Sequence, residues 1–262
     1  MLPSRPGTAG VVLSAGAAAT DNWPFRSARG SLAEMTPADR AITTPRPGGY
    51  ARGAATAEAI VKAAHKVLIE EGAAQFTVRR IAAECGMKVG NVSYHFPRKE
   101  MLVQLMLDDM LESYDKVLDN EVRQPGLTAQ ERLRRVIALC LEDIAGMRTT
   151  RLFTELWAMA NHNPVVAERV AQFYARVHGV ICEYVSVLNP ALSAAETQIV
   201  ALYISASMEG ATPFLGYRKP WADRMPAFIA IAGKALVELA CTITPDDIAG
   251  LGMPTRDPCD AR

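Results

Sequence analysis

The sequence contains few of the features on which metal sites, disulfide frameworks and common enzymes depend. Its five cysteines are widely spaced and include no C-x-x-C pair, so neither a zinc site nor a disulfide framework is predicted. The four histidines are not at metal-ligand spacing, and no H-E-x-x-H, G-x-S-x-G, P-loop or Rossmann glycine pattern is present. We therefore expect no metal, no cofactor and no catalytic residue, which makes an enzyme a less favoured alternative.

Long apolar runs and alternating strand patterns are also scarce. Charged residues interrupt the most apolar segments at Glu209, Lys234 and Glu238, so no membrane span is predicted. Aromatic residues make up only 6% of the chain, whereas half of it is apolar, with much Ala and Leu. This composition favours a mostly helical soluble protein, and 262 residues suffice for one or two domains with a sizeable core.

The charge of the chain is zero in total but uneven along its length. Residues 50–104 contain eight basic and five acidic side chains, whereas residues 105–262 contain fifteen basic and twenty acidic ones. A protein whose first part faces phosphate and whose remainder does not would show this asymmetry. A non-specific architectural DNA-binding protein, the second alternative, would need a stronger positive charge.

The most informative stretch lies between Thr77 and Leu102, where two short apolar sets flank a glycine. The members at helical spacing are Val78, Ile81 and Ala82 before it and Met87, Val89 and Val92 after it. Gly86 can adopt the positive φ that a sharp corner between two helices needs, and the small Ala82 and Ala83 allow a close helix crossing. The pattern predicts a helix-turn-helix, with Thr77 as the N-cap of its first helix.

The same stretch carries a more specific run, I-A-x-x-x-G-M-x-x-G-x-x-x-Y-H-F-x-x-K-x-x-L. It is formed by Ile81, Ala82, Gly86, Met87, Gly90, Tyr94, His95, Phe96, Lys99 and Leu102. This run resembles the DNA-binding domain of TetR-family transcriptional regulators. Two positions depart from the family pattern: Lys88 replaces a small capping residue, and Ser93 stands where a second aromatic residue is common.

The resemblance implies an all-α fold of about nine helices, in which a three-helix helix-turn-helix domain precedes a helical ligand-binding and dimerisation domain. We expect a disordered N-terminal tail at 1–49, the DNA-binding domain at 50–100, the second domain at 101–244 and a loose tail at 245–262. Capping boxes starting at Thr128 and Ser193 predict helix starts in the second domain.

Ten residues are predicted to contact double-stranded DNA. Lys88, Val89, Gly90, Asn91 and Ser93 are short or polar residues at the exposed start of the recognition helix. Within this set Lys88 suits guanine, Asn91 suits adenine or a phosphate, and Gly90 permits close approach of the backbone. By the family resemblance, phosphates would be held by Thr77, Arg79, Tyr94, His95 and Lys99.

The second domain is expected to bind a small-molecule effector and a second copy of the chain. Candidate effector contacts are Trp157, His162, Phe173 and His178. The last two helices, Ser193 to Phe214 and Ala227 to Thr242, are apolar on more than one face. The resemblance implies that they form the homodimer interface. The competing interpretation is that both helices are buried within a monomer. The sequence thus predicts a cytoplasmic, ligand-released repressor of a palindromic operator, with an architectural DNA-binding protein or an all-α enzyme as alternatives.

Overall fold

The computed structural model describes residues 49–250, and within this range all regular structure is helical. The helices are α1 (Gly49–Glu71), α2 (Val78–Glu84), α3 (Val89–His95), α4 (Lys99–Glu121), α5 (Ala129–Ala145), α6 (Met147–Ala160), α7 (Pro164–Leu188), α8 (Ala194–Glu209), α9 (Thr212–Leu215), α10 (Met225–Thr242) and α11 (Pro245–Gly250). Short 3-10 turns occupy Ala73–Gln75 and Ala222–Arg224. The all-α prediction is confirmed, and the nine longer helices are those expected from the sequence. Tails were predicted at 1–49 and 245–262, and of these residues 1–48 and 251–262 lie outside the described residues.

Local capping chemistry sets the helix starts. The Thr77 hydroxyl accepts a hydrogen bond from the Arg80 amide at 3.2 Å and so caps α2. Thr128 and Ser193 both form complete capping boxes, with reciprocal bonds to the glutamates three residues later. Asn163 caps α7, whose first residue is a proline with no amide hydrogen to satisfy.

Two segments differ from the sequence-based expectation. The apolar helix predicted from Ser193 to Phe214 ends at Glu209, and a separate four-residue helix follows at Thr212–Leu215, with a proline in its first turn. The predicted loose tail begins instead with helix α11, because Thr244 and Asp247 exchange hydrogen bonds of 2.9 and 3.1 Å at its start. Ile248 of this helix is buried, which anchors the segment to the body of the protein.

The buried apolar residues form two clusters that divide the chain in an unexpected way. The first core joins α1–α4 to α6 and the first half of α7. The second core joins α5, the second half of α7, and α8–α11. Helix α4 is roughly 34 Å long and connects the two cores. Leu102 near its start lies in the first core, and Val122, the residue after its end, lies in the second core. Helix α6 therefore packs against α1 and the turn that leads into the helix-turn-helix, although it follows that motif by more than fifty residues.

One segment of the described range, Ala222–Thr242, is long and apolar enough to cross a membrane by length and composition alone. The sequence analysis predicted no such segment because Lys234 and Glu238 interrupt it; that prediction was wrong in this respect, since these two charges do not outweigh the apolar residues of 225–242. Core helices of soluble proteins have the same composition. Here one face of α10 packs in the second core through Ala232, Leu236 and Val237, while Ile231 on the other face is 68% exposed.

Candidate nucleic-acid interface

Helices α2 and α3 form the predicted helix-turn-helix, and the corner between them is built around Gly86. This residue has φ +65°, the left-handed region that favours glycine. Its amide donates to the Ala83 carbonyl at 3.2 Å, and the next amide, of Met87, donates to the Ala82 carbonyl at 2.8 Å. These two bonds form a Schellman motif, which closes the C-terminus of α2 and turns the chain into α3.

The recognition helix α3 is anchored by two buried side chains and leaves its other face open. Val92 is completely buried and Phe96, just after the helix, is 4% exposed. Lys88 is the N-cap residue, but its side chain makes no capping hydrogen bond. The first turn of α3 therefore has no side-chain cap, and the residue at its N-cap position carries a positive charge.

Nine of the ten predicted DNA contacts are exposed. They are Thr77, Arg79, Lys88, Val89, Gly90, Asn91, Ser93, Tyr94 and Lys99. Tyr94 is 67% exposed, although a tyrosine ring carries a large apolar surface. His95 is half-buried between the rings of Tyr94 and Phe96. The structure places these residues on three adjoining segments: the start of α2, the whole of α3 and the start of α4.

The charges near this surface are not all available to DNA. Arg80 donates to Glu71 at 2.8 and 2.5 Å and to Glu84 at 2.7 Å, and Lys66 pairs with Glu84 at 2.6 Å. The hydrogen bonds that Arg80 donates to the Glu71 and Glu84 carboxylates raise the pKa of its guanidinium, which stays charged and bound to them. Arg79, the preceding residue, is exposed instead.

Sequence reasoning overlooked Arg98. It is exposed, adjoins Lys99 and is the N-cap residue of α4. A positive side chain at a helix N-terminus, where the backbone amides also point outward, is well placed to hold a phosphate. The signal that identifies it is the H-F-P-R-K run, in which the proline ends one helix and two cations begin the next.

The four predicted effector contacts do not form a single group. Trp157 and Phe173 belong to a cluster of five aromatic side chains, hereafter the aromatic cluster. Its members are Tyr114, Phe153, Trp157, Phe173 and Tyr174, with ring centroids 5.2 to 6.2 Å apart. His178 lies further along α7, 3.5 Å from the Ser205 hydroxyl and from the Cys182 thiol. His162 is exposed just after the end of α6 and lies apart from both the aromatic cluster and His178.

Two carboxylates that were not predicted lie against the aromatic cluster. The Tyr114 hydroxyl donates to Asp143 at 2.5 Å, and the Tyr174 hydroxyl, which accepts from the Trp157 indole at 3.0 Å, donates to Glu209 at 3.3 Å. Burial, with a smaller contribution from the charge of Asp143, raises the pKa of Glu209 to about 7. Glu209 interrupts an apolar segment of the sequence, which is the one signal that singles it out.

A surface groove reaches this cluster from the side of α4 and α7. It has a volume of about 420 Å³, and Phe173 forms part of its floor together with Leu107 and Leu111. Arg169 and Arg176 lie on its rim. This α4–α7 groove gives solvent access to the edge of the aromatic cluster. A second groove of about 430 Å³ lies between α5 and α10 and contains none of the predicted contacts.

Comparison with known families assigns both parts of the chain. Residues 60–106 match the family described as bacterial regulatory proteins, tetR family. Residues 129–236 match the family described as BetI-type transcriptional repressor, C-terminal. Together the two matches include α2, α3 and most of α5–α10.

A curated relative is the HTH-type transcriptional regulator in the dhlA 5′ region of Xanthobacter autotrophicus, which is 26% identical over 134 residues. The match covers 49% of this chain and 65% of that relative, so the chain spans just under two thirds of the relative's length. Solved structures of similar fold include a transcriptional regulator from Saccharomonospora viridis in complex with choline, at 20% identity and a TM-score of 0.57 over 69% of this chain and 96% of that one. Salmonella enterica GusR has 19% identity and a TM-score of 0.58 over 72% of this chain and 96% of its own.

Proposed function

The chain belongs to the TetR family of transcriptional regulators, a family of non-enzymatic DNA-binding proteins, and we propose that it is a repressor that binds a palindromic operator as a homodimer and is released by a small molecule. Residues 50–100 serve as the DNA-binding domain and residues 101–244 as the effector-binding and dimerisation domain. Such a repressor acts on chromosomal DNA, which places it in the cytoplasm.

The exposed surface of α3 is the observation that carries the DNA-binding part of this proposal. Asn91 and Tyr94 are exposed on a helix whose other side is fixed by Val92, and Lys88 is exposed immediately before its first turn. A helix that enters the major groove needs such an arrangement, because its base contacts must be rigidly placed. Arg79 and Lys99 on the flanking helices add phosphate contacts, which set the register on the duplex.

The dimer part of the proposal is supported by apolar side chains that the chain itself leaves uncovered. On α8 these are Ile199, Leu202 and Tyr203, which are 39%, 55% and 59% exposed and which we call the α8 face. Ile231 projects from the outer side of α10, which packs beside α8. Adjacent exposed apolar faces favour association with a second copy, and a two-fold dimer matches a two-fold operator.

The release part is supported by the position of the aromatic cluster. Its members come from α4, α6 and α7, and its two carboxylates come from α5 and α8. An effector that enters through the α4–α7 groove would separate these helices, and α4 leads directly to the DNA-binding domain. The Saccharomonospora viridis neighbour holds choline, which supports an effector of small size. Trp157 and Phe173 remain candidate contacts; His162 does not fit an enclosed site.

Replacing Lys99 with alanine tests the phosphate contacts. We expect affinity for operator DNA to fall several-fold at low salt, and the slope of log K against log salt to become shallower by about 0.9, since one phosphate fewer is neutralised. Lys116→Ala is the matched control, because this lysine is also exposed on α4 but lies 17 residues further along and pairs with Glu112. Equal salt slopes for parent and Lys99→Ala would remove Lys99 from the interface.

A further inference from the structure

Helices α1 and α6 meet along two matched rows of residues. On α6 the row consists of Arg148, Arg151 and Glu155, which recur at three- and four-residue spacing and so share one face. On α1 the facing row is formed by His65, Ile69 and, one residue beyond the helix, Gly72. Each member of the α6 row makes a polar contact with this end of α1, and the partners are 82 or 83 residues apart in sequence.

Glu155 makes the most specific of these contacts. Its carboxylate accepts a hydrogen bond of 2.8 Å from the amide of Ala73, the second residue after α1. It also approaches Gly72 so closely that a Cβ at this position would lie 3.1 Å from a carboxylate oxygen. Gly72 has φ +83° and ends α1. Glu155 therefore fixes the turn Ala73–Gln75, which leads directly to the N-cap of α2.

Arg148 and Arg151 extend the contact along α1. The Arg148 guanidinium lies 3.2 Å from the His65 imidazole Nδ1. His65 is buried, and this burial, with the nearby Arg148 charge, lowers its pKa to about 3, so that the ring is neutral and accepts a hydrogen bond from Arg148. The Arg151 guanidinium donates to the Ile69 carbonyl at 3.4 Å, a longer and weaker contact.

The opposite side of α6 belongs to the proposed effector region. Phe153 and Trp157 of α6 are members of the aromatic cluster, and Leu152 and Leu156 are completely buried in the first core. Apolar packing is largely non-directional, whereas hydrogen bonds to named backbone groups fix the register of two helices. One helix thus contacts the aromatic cluster on one side and the entrance to the helix-turn-helix on the other.

We infer that Arg148, Arg151 and Glu155 are positioning residues, which hold α1 and the turn before α2 in register with α6 and so set the direction in which the recognition helix is presented. The DNA-binding domain is then joined to the rest of the chain covalently through α4, by apolar packing in the first core, and by this polar row on α6. A shift of α6 at the aromatic cluster moves the Ala73 turn directly. Only this last step rests on the proposed function; the positional role stands without it.

Hydrogen exchange measured by mass spectrometry tests the positional role without DNA or effector. In Glu155→Ala we expect amides in residues 72–95 to exchange at least tenfold faster than in the parent, while α8 and α10 exchange at the parent rate. Glu155→Gln keeps an oxygen acceptor and is expected to stay within about threefold of the parent. Thr154→Ala is the control, since this exposed neighbour bonds only to carbonyls of its own helix. An unchanged rate in Glu155→Ala, or equal acceleration throughout the chain, would overturn the assignment.

A second readout addresses DNA register. Duplexes selected by the parent protein are compared with the same duplexes carrying one extra base pair between the half-sites. We expect the parent to bind the longer duplexes at least tenfold more weakly and Glu155→Ala to discriminate less than threefold, because its recognition helices are less firmly held. Discrimination equal to the parent would disprove the role in DNA register. If no duplex is selected, the proposed function fails, and the exchange result still decides the positional role.

Discussion

Replacing Leu202 with arginine is expected to convert the homodimer into a monomer and to weaken operator binding at least about 100-fold. Leu202 is 55% exposed at the middle of the α8 face, between Ile199 and Tyr203. In a dimer the side chain at position 202 would be buried away from solvent, and burying an unpaired guanidinium there costs several kcal/mol. A monomer then holds only one half-site and loses the contacts of the other. Sedimentation equilibrium and operator titration measure the two effects.

A matched control separates loss of the dimer from a general effect of surface charge. Val165 is 43% exposed and lies in the first turn of α7, where the neighbouring Val166 packs in the first core. Val165→Arg is therefore expected to stay dimeric and to bind the operator like the parent. A Leu202→Arg variant that remains dimeric, with parental affinity, would show that the two copies meet through another surface.

The second large effect concerns Glu209 and depends on pH. Its folded-state pKa of about 7 lies above the usual value of 4.5, so the folded protein retains a proton that the unfolded chain has released. The stability associated with this proton is fully present below pH 4.5 and is lost as pH rises through 7. Glu209→Gln keeps an oxygen to accept the Tyr174 hydrogen bond but has no charge to bury.

We therefore expect Glu209→Gln to be more stable than the parent by about 2–3 kcal/mol at pH 8 and by less than about 0.5 kcal/mol at pH 4.5. Urea unfolding at the two pH values measures both differences. Glu142→Gln on the exposed side of α5 is the control and should show no comparable dependence on pH. Equal differences at both pH values would mean that Glu209 is ionised in the folded protein at neutral pH.

A partly buried carboxylate whose raised pKa opposes folding at neutral pH is informative about its surroundings. Glu209 lies at the aromatic cluster, against Tyr174 and close to a second carboxylate, Asp143. Natural proteins tolerate such a cost most often where function requires it. This is consistent with an effector site at the aromatic cluster, where the uncharged substitution Glu209→Gln raises stability at the possible expense of function.

Much of the fold could be predicted because its boundaries depend on local chemistry. Thr77, Thr128 and Ser193 cap the helices that the sequence assigned to them, since a hydroxyl three residues before a free amide binds that amide in almost any context. Gly86 takes the positive φ that the corner needs. The exposed face of α3 follows from the same reasoning, because Val92 fixes which side of a two-turn helix is buried.

The remaining features depend on contacts between distant residues. The bond between Glu155 and Ala73 joins positions 82 residues apart, and no local pattern indicates it. Arg80 donates hydrogen bonds to Glu71 and Glu84, whereas Arg79 stays exposed to solvent. This difference depends on which sides of α1 and α2 face each other. The aromatic residues could be identified from the sequence. Their distance from His162 could not, because that distance depends on how α6 packs against its neighbours.

The most direct measurement is selection of bound duplexes from a random DNA library by the purified protein, with Tyr94→Ala selected in parallel. The account predicts that the parent enriches one sequence with two-fold symmetry, whose half-sites lie about one helical turn apart, and that Tyr94→Ala enriches it far less although it is folded. Enrichment of no sequence, or of the same sequence equally by both proteins, would contradict the claim that this chain recognises an operator through α3.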